Sequence, residues 1–375
     1  MSRTIATPDR IVVIKIGSNA LVAADGRLDR RFLGRLAKQI AQARADGWQP
    51  VLVSSGAVAC GLSRIAASGP APTAVSERQA LAAIGQADLI QAWQLVLGRH
   101  GLIGAQVLLT AGDFDDRERY LNLTANLRAL SDYGAVPIIN ENDTVSVEEL
   151  ALGDNDRLSA LVASQLKAAK LLLLTDIDGV YDCDPRHHAD ARLVAEVPEI
   201  DSALLASVGG SGRLGTGGMR SKLNAARLAT RTGVPTIIAG ARQPQVITRL
   251  LAGEALGTRI PAVDGREPSS RRRWLALART CRGQLILDAG AVRALCERGT
   301  SLLPVGLQRV EGRFDRGDTV CLRDATGVEI GRGLVNLDAS EVGRIAGKRW
   351  PDAVRLLGYA IPKTVVHRDN ILLER

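Results

Sequence analysis

Six short runs of Val, Ile and Leu recur through the first 265 residues without alternating apolar and polar positions. They are Ile11–Ile16, Val51–Ser54, Gly104–Leu109, Val136–Ile139, Leu171–Thr175 and Thr236–Ala239. A strand with one face in water shows a period of two, so runs that lack it belong to strands covered on both faces. Between them lie helical patterns over Arg30–Arg44, Ser76–Leu97, Asn155–Lys167 and Met219–Thr232. Strand, helix and strand in repetition predict an α/β fold, a mostly parallel sheet between helical layers.

That texture stops at Asp264-Gly265-Arg266-Glu267-Pro268-Ser269-Ser270-Arg271-Arg272-Arg273, a run of turn formers and charge that reads as a linker. Beyond it, Gln284–Leu287, Val305–Val310, Thr319–Leu322 and Glu329–Leu334 are separated by glycine turns at Gly312, Gly317 and Gly327. Such spacing predicts a small β-rich module. The expected division is 1–265 for the α/β domain, 266–281 for the linker, 282–360 for the module and 361–375 for a C-terminal tail. A length of 375 residues accommodates two domains.

Charge follows the same division. Residues 1–265 carry 28 Lys and Arg against 27 Asp and Glu, whereas 266–375 carry 20 against 13, so +7 of the net +8 sits in the last 110 residues. A basic tail region suits nucleic acid. Aromatic residues make up only 3% of the chain, which leaves few platforms for stacked bases, and an Arg-rich solvated surface explains the charge equally well. No apolar run approaches the roughly 18 residues that span a bilayer, and Met1 to Arg10 is too short and polar for a signal peptide. The five cysteines (Cys60, Cys183, Cys281, Cys296, Cys321) show no C-x-x-C spacing. Neither a zinc site nor a disulfide framework is expected, and a reducing, cytoplasmic compartment is the economical reading.

In a parallel α/β sheet ligands bind beyond the carboxyl ends of the strands, so those ends carry the candidate chemistry. The first ends in Lys15-Ile16-Gly17-Ser18-Asn19. A lysine inside an apolar strand is costly unless its ammonium meets an anion, and a glycine beside it allows close backbone approach. The second ends in Ser54-Ser55-Gly56-Ala57, which opens a helix; its amides could hold an anion, or Ser55 could simply cap it. The fourth runs into Asn140-Glu141-Asn142-Asp143, followed by Gly153-Asp154-Asn155-Asp156 ahead of a helix. Asp143 or Asn155 could face a substrate ammonium, and a carboxylate here could hold two lysines; capping explains only one residue of the second cluster. The fifth gives Thr175-Asp176 and, further on, Tyr181, a loop suited to a nucleotide's sugar and base. Last, six glycines between Gly209 and Gly218 precede a helix carrying Lys222, the composition of a phosphate cradle or of a mobile loop.

Several familiar signatures fail. Gly210-x-Gly212-x-x-Gly215 fits the dinucleotide pattern literally but follows a helix-like stretch rather than a strand. No G-x-x-x-x-G-K-[ST] occurs, and the protein-kinase elements are missing apart from Val366-His367-Arg368-Asp369 in the wrong domain. The four histidines (His100, His187, His188, His367) have no metal-ligand spacing.

Together the strand-end motifs resemble the amino acid kinase family. The pieces are Ile14-Lys15-Ile16-Gly17-Ser18, Val53-Ser54-Ser55-Gly56-Ala57, Leu109-Thr110 with Asp116-Arg117-Glu118-Arg119-Tyr120, and Ile139-Asn140-Glu141-Asn142-Asp143. They continue with Gly153-Asp154-Asn155-Asp156, Leu174-Thr175-Asp176 and Gly215-Thr216-Gly217-Gly218-Met219. The resemblance is closest to the branch that phosphorylates the side-chain carboxylate of L-glutamate, the first step of proline biosynthesis. Gly299 to Pro304, Gly317-Asp318 and Arg332-Gly333 resemble a PUA domain, which bacterial members of that branch carry.

The resemblance implies that Lys15 and Lys222 flank the transferred phosphoryl group and that Asp156 orients them. It implies that Ser55, Asp143 and Asn155 hold glutamate. Lys15, Thr175, Asp176, Thr216, Gly217, Gly218, Met219, Arg220, Ser221 and Lys222 would bind ATP, with Mg²⁺ accompanying the nucleotide and no dedicated protein metal site. Feedback inhibition by proline and a homo-oligomer, dimer or tetramer, belong to the same implication. Arg220-Ser221 stands where relatives often carry Ser-Thr or Gly-Thr. The chemistry is coherent: a carboxylate nucleophile is already ionised at neutral pH and needs no general base. Catalysis then rests on positioning and electrostatic stabilisation. Rival readings are another kinase of the superfamily, which the PUA-like module disfavours, and an RNA-binding or RNA-modifying protein, which leaves the lysine and acid clusters unexplained.

Overall fold

The computed structural model describes residues 10–23, 25–65, 72, 74–110, 112–145, 155–185, 188, 190–201, 204–205, 218–263, 275 and 281–373. The chain divides into two compact units, 1–266 and 267–375. The expected linker falls almost wholly outside the described residues.

The first unit runs β1 Ile11–Ile16, α1 Ser18–Leu21, α2 Arg30–Ala45, β2 Gln49–Ser54, α3 Ala57–Arg64, α4 Val75–Gly98, β3 Ile103–Leu109, α5 Gly112–Asp115, α6 Arg117–Asp132 and β4 Ala135–Glu141. It continues with α7 Asn155–Leu166, β5 Lys170–Thr175, α8 Met219–Arg231, β6 Thr236–Gly240, α9 Val246–Ala252 and β7 Thr258–Ile260. Its seven strands stand in the order β3-β4-β2-β1-β5-β6-β7. Every pairing is parallel except β6 with β7. Burial on both faces explains the unalternating apolar runs: β1, β2, β4 and β5 are buried at nearly every position. From β1 the chain steps toward β2 on one side and β5 on the other. This reversal is where a doubly wound sheet opens a crevice at its carboxyl edge.

Two sequence signals become caps. Asp29 accepts from the Phe32 amide at 2.9 Å to start α2, and Asp116 accepts from the Arg119 amide at 2.9 Å to start α6. The motif beginning at Asp116 is therefore the opening of a helix. Ser55 is not the cap of α3; Gly56 occupies that position, with φ of 111°, a left-handed conformation that glycine adopts without a Cβ clash.

Helix α4 corrects one expectation. At 24 residues and mean hydropathy 1.2 it is long and apolar enough to cross a membrane by length and composition alone. One side of it lies in the core, where Leu81, Leu89, Trp93, Val96 and Leu97 are buried, while Ile84 and Leu95 are exposed. It crosses α3 at glycines: a Cβ on Gly85 would fall 2.0 Å from the Ala57 carbonyl oxygen, and one on Gly61 2.0 Å from that of Leu81.

The second unit holds β8 Gly283–Leu287, α10 Ala289–Arg298, β9 Leu307–Gly312, β10 Thr319–Arg323, β11 Glu329–Val335, α11 Ala339–Ile345, α12 Trp350–Leu357 and β12 Val366–Leu373. Its sheet has the order β12-β11-β10-β8-β9. The stretch expected to begin a strand at Val305 starts with a 3-10 turn at Pro304–Gly306, and β9 follows. Residues 361–375, read from the sequence as a tail, supply β12, which pairs antiparallel with β11. His367-Arg368-Asp369 are exposed on that edge strand and hide its pattern, while Val366 and Ile371 are buried in the module's core. The cysteine expectation is also corrected: Cys281 and Cys321 form a disulfide, with Cα atoms 5.6 Å apart. Pairing of β10 with β8 brings the two positions together, a relation that their separation of 40 residues does not reveal.

Candidate active site

Four strand ends meet at the carboxyl edge of the first unit's sheet, and each delivers a polar residue. Lys15, one residue before the end of β1, lies in register between Val53 of β2 and Leu173 of β5 and is only 5% exposed. Its ammonium reaches Asp156 Oδ1 at 2.6 Å. Asp156 is the second residue of α7, where the helix dipole favours a negative charge. Its other oxygen, Oδ2, lies 3.3 Å from Lys222 Nζ and accepts from the Ser221 hydroxyl at 3.3 Å. Lys222 is 6% exposed and comes from the first turns of α8, which packs against α7. Burial alone would raise the Asp156 pKa, but the two ammonium groups outweigh it and hold the carboxyl below its ordinary value.

Gly17 follows directly, its amide donating to the Leu174 carbonyl at 3.2 Å. A Cβ built there would lie 3.5 Å from the Lys15 ammonium, so a hydrogen at this position leaves the charge approachable.

On one side of this centre stands a row of amides. Asn155 Nδ2 donates to Ser55 Oγ and to Asn140 Oδ1, both at 3.0 Å. Asn140 in turn donates to Gln86 Oε1 at 2.7 Å. The Asn155 carbonyl oxygen is buried and has no hydrogen-bond partner among the described residues. Asp143, beyond β4, has its carboxyl pushed up to about 6 by burial, against the opposing charge of Arg78. On the other side, at the end of β5, Thr175 Oγ1 donates to Asp176 Oδ1 at 2.9 Å and Asn19 Nδ2 to Oδ2 at 3.0 Å. Burial raises the Asp176 pKa, and these hydrogen bonds with the charge of Lys222 bring it below the ordinary value.

Sequence-expected residues therefore come together: Lys15, Lys222, Ser221 and Asp156 at the centre, and Ser55 with Asn155 beside it. Gly218 caps α8 and Met219 opens it, while Arg220 is exposed. Thr216 and Gly217, with the rest of the glycine run and Gly153-Asp154, lie outside the described residues. Sequence reasoning assigned nothing to Gln86, Arg78 or Asn19. Gln86 and Arg78 sit among ordinary polar positions of α4, and nothing in their spacing distinguishes them. Asn19 stands within a recognised motif, where its amide could have been matched to a carboxylate.

In chemical terms, two desolvated ammonium groups share one carboxylate at a helix start. Such a centre attracts an anion carrying more than one negative charge. The family model described as the amino acid kinase family matches residues 10–240, and that of the PUA domain matches 283–357. A glutamate 5-kinase from Chromohalobacter salexigens is 50% identical over 365 residues, 97% of this chain and 96% of that one. The glutamate 5-kinase of Stutzerimonas stutzeri is 49% identical over 363 residues, 96% of this chain and 97% of the relative. Among solved structures, a UMP kinase from Bacillus anthracis superposes with a TM-score of 0.47 and 16% identity, covering 69% of this chain and 98% of that one.

Proposed function

The chain belongs to the amino acid kinase family and carries a PUA domain, and from that premise we propose that it phosphorylates the side-chain carboxylate of L-glutamate with ATP. The near full-length likeness to glutamate 5-kinases supports the substrate and places the activity at the start of proline biosynthesis. A glutamate carboxylate oxygen attacks the γ-phosphorus, the bond to the β–γ bridging oxygen breaks, and L-glutamyl 5-phosphate and ADP result.

The observation that carries the reading is the pair of buried lysines on one carboxylate, Lys15 at 2.6 Å and Lys222 at 3.3 Å from Asp156. Attack by an anion on a triphosphate is opposed by charge repulsion, and fixed cations at the transferring oxygens offset it. Asp156 keeps both ammonium groups in place. Ser55, Asn155 and Asp143 hold glutamate, with Asp143 and the free Asn155 carbonyl oxygen as acceptors for its ammonium. Thr175 and Asp176, with Thr216, Gly217, Gly218, Met219, Arg220 and Ser221, take the nucleotide.

Mg²⁺ would accompany the nucleotide rather than occupy a dedicated protein site. The donor set favours this arrangement in one respect: Asp156 faces two ammonium groups, which would repel a cation placed on it. When bound, the ion screens the charge of the β- and γ-phosphates.

Feedback inhibition by proline, a homo-oligomeric state (dimer or tetramer) and a cytoplasmic location complete the reading as the resemblance implies them. An RNA partner for the PUA domain rests only on the excess of seven positive charges over residues 266–375, four of which lie in 266–281.

The test incubates the purified protein with ATP, Mg²⁺ and a panel of amino acids, trapping acyl phosphate with hydroxylamine. A hydroxamate formed from glutamate alone is the expected result. Hydroxamate from aspartate or N-acetylglutamate instead, or from none of the panel, overturns the reading.

A further inference from the structure

Three side-chain amides from three elements form a single file that ends at Asn155. Gln86 of α4 accepts through Oε1 from Asn140 Nδ2 at 2.7 Å, and Asn140 at the end of β4 accepts through Oδ1 from Asn155 Nδ2 at 3.0 Å. That same nitrogen also donates to Ser55 Oγ at 3.0 Å. An amide has a donor end and an acceptor end, so its orientation is passed along the file. With Gln86 presenting its oxygen, Asn140 must turn its nitrogen toward α4, Asn155 must turn its nitrogen toward Asn140 and Ser55, and the Asn155 oxygen is left over. That oxygen is buried and lacks a partner among the described residues. A buried acceptor without a donor is unfavourable in the empty site and is relieved when a ligand supplies an N–H.

We propose that Gln86 is a positioning residue that fixes the polarity of the file, so that Asn155 offers a carbonyl oxygen to the α-ammonium of the substrate. The enzyme then prefers an amino dicarboxylic acid to a dicarboxylate of the same length without the amino group. The proposal rests on the reading that Asn155 meets glutamate. It adds a residue that touches neither substrate and the reason its amide matters. Were the file reversed, with Gln86 donating, Asn155 would present its nitrogen and repel an ammonium.

Two substitutions separate these cases. Gln86→Leu removes the acceptor and leaves the orientation of Asn140 unset. Gln86→Glu keeps an oxygen that can only accept, and so enforces the observed polarity. The measurements are the dissociation constant for glutamate by calorimetry and steady-state kinetics with glutamate, glutarate and ATP. For Gln86→Leu we expect glutamate affinity and KM to weaken by at least ~10-fold, the scale of one hydrogen bond to a charged group. Its kcat should stay within about three-fold, with KM for ATP unchanged, and the preference for glutamate over glutarate should narrow by a similar factor. Gln86→Glu should bind glutamate within about three-fold of the parent chain.

If Gln86→Glu is as impaired as Gln86→Leu, the polarity is wrong and the proposal fails. It fails equally if Gln86→Leu binds glutamate normally, or if kcat falls and KM for ATP rises along with the loss of glutamate binding, which is the mark of a merely structural role. Calorimetry keeps this separate from the assignment of the reaction. A parent chain that binds glutamate but forms no hydroxamate defeats the kinase reading while the file is still tested; one that binds no glutamate defeats both.

Discussion

Lys15 and Lys222 share one counter-ion, Asp156, although one lysine stands in the first strand of the sheet and the other in a helix reached only after most of the domain has been laid down. If these ammonium groups stabilise the transferring phosphoryl group, neither is dispensable. Lys15→Ala and Lys222→Ala should each reduce kcat by at least ~10²-fold, the loss typical of one transition-state stabiliser. Near-normal hydroxamate formation in either variant would remove the assignment.

Replacing their partner tests stability as well as catalysis. Asp156→Asn leaves two ammonium groups, each under a tenth exposed, with no neutralising charge between them. We expect a loss of about 3–5 kcal/mol in folding stability, as for a buried pair deprived of one member. Urea unfolding measures it, and a midpoint equal to that of the parent chain contradicts the account. The sign with pH follows. The Asp156 pKa is depressed in the folded state, so its contribution is complete above the unfolded value of about 3.9 and disappears as pH falls through the folded one. Acid sensitivity below pH 4 should therefore be weaker in the variant.

Asp143 shifts the other way, and its effect lies nearer neutrality. Burial raises its carboxyl to about 6, with Arg78 pulling in the opposite direction. Only the ionised form accepts from a substrate ammonium, so kcat/KM for glutamate should decline below pH 6, approaching ten-fold per unit. Asp143→Asn should be weaker at pH 8 and lack that limb. A variant with the same acid limb as the parent would mean that another group is titrating.

The crossing of α3 and α4 leads to a prediction about a glycine that packs behind Ser55. Gly85→Ala places a Cβ 2.0 Å from the Ala57 carbonyl oxygen, a backbone atom in the first turn after Ser55 and Gly56. Relief requires the helices to separate, at about 1–3 kcal/mol. The melting temperature should fall, and KM for glutamate should rise because Ser55 moves with α3. A variant with unchanged melting and unchanged KM would show that the crossing tolerates a methyl group.

Much of this was readable from residue order, for a physical reason. Strands covered on both faces must be continuously apolar, so β1, β2, β4 and β5 announced themselves, and a lysine inside such a run was conspicuous. Position also betrayed Asn155 and Asp156, polar residues opening an apolar helix. What stayed hidden depends on distant pairing. Gln86 resembles any polar residue of a long helix until α4 is laid beside the end of β4. Cys281 and Cys321 become neighbours only through the register of β10 with β8. In β12, His367-Arg368-Asp369 conceal a strand whose Val366 and Ile371 reach the core.

The burial of both lysines against Asp156 has one more consequence. Stripping water from an ammonium group is expensive wherever it happens, and here the stripping takes place as the chain folds, once in the lifetime of each molecule. On the proposed reading, a nucleotide arriving later meets cations that are already dry and aimed, so the solvent rearrangement that would slow every turnover in an open, hydrated cleft has been completed beforehand.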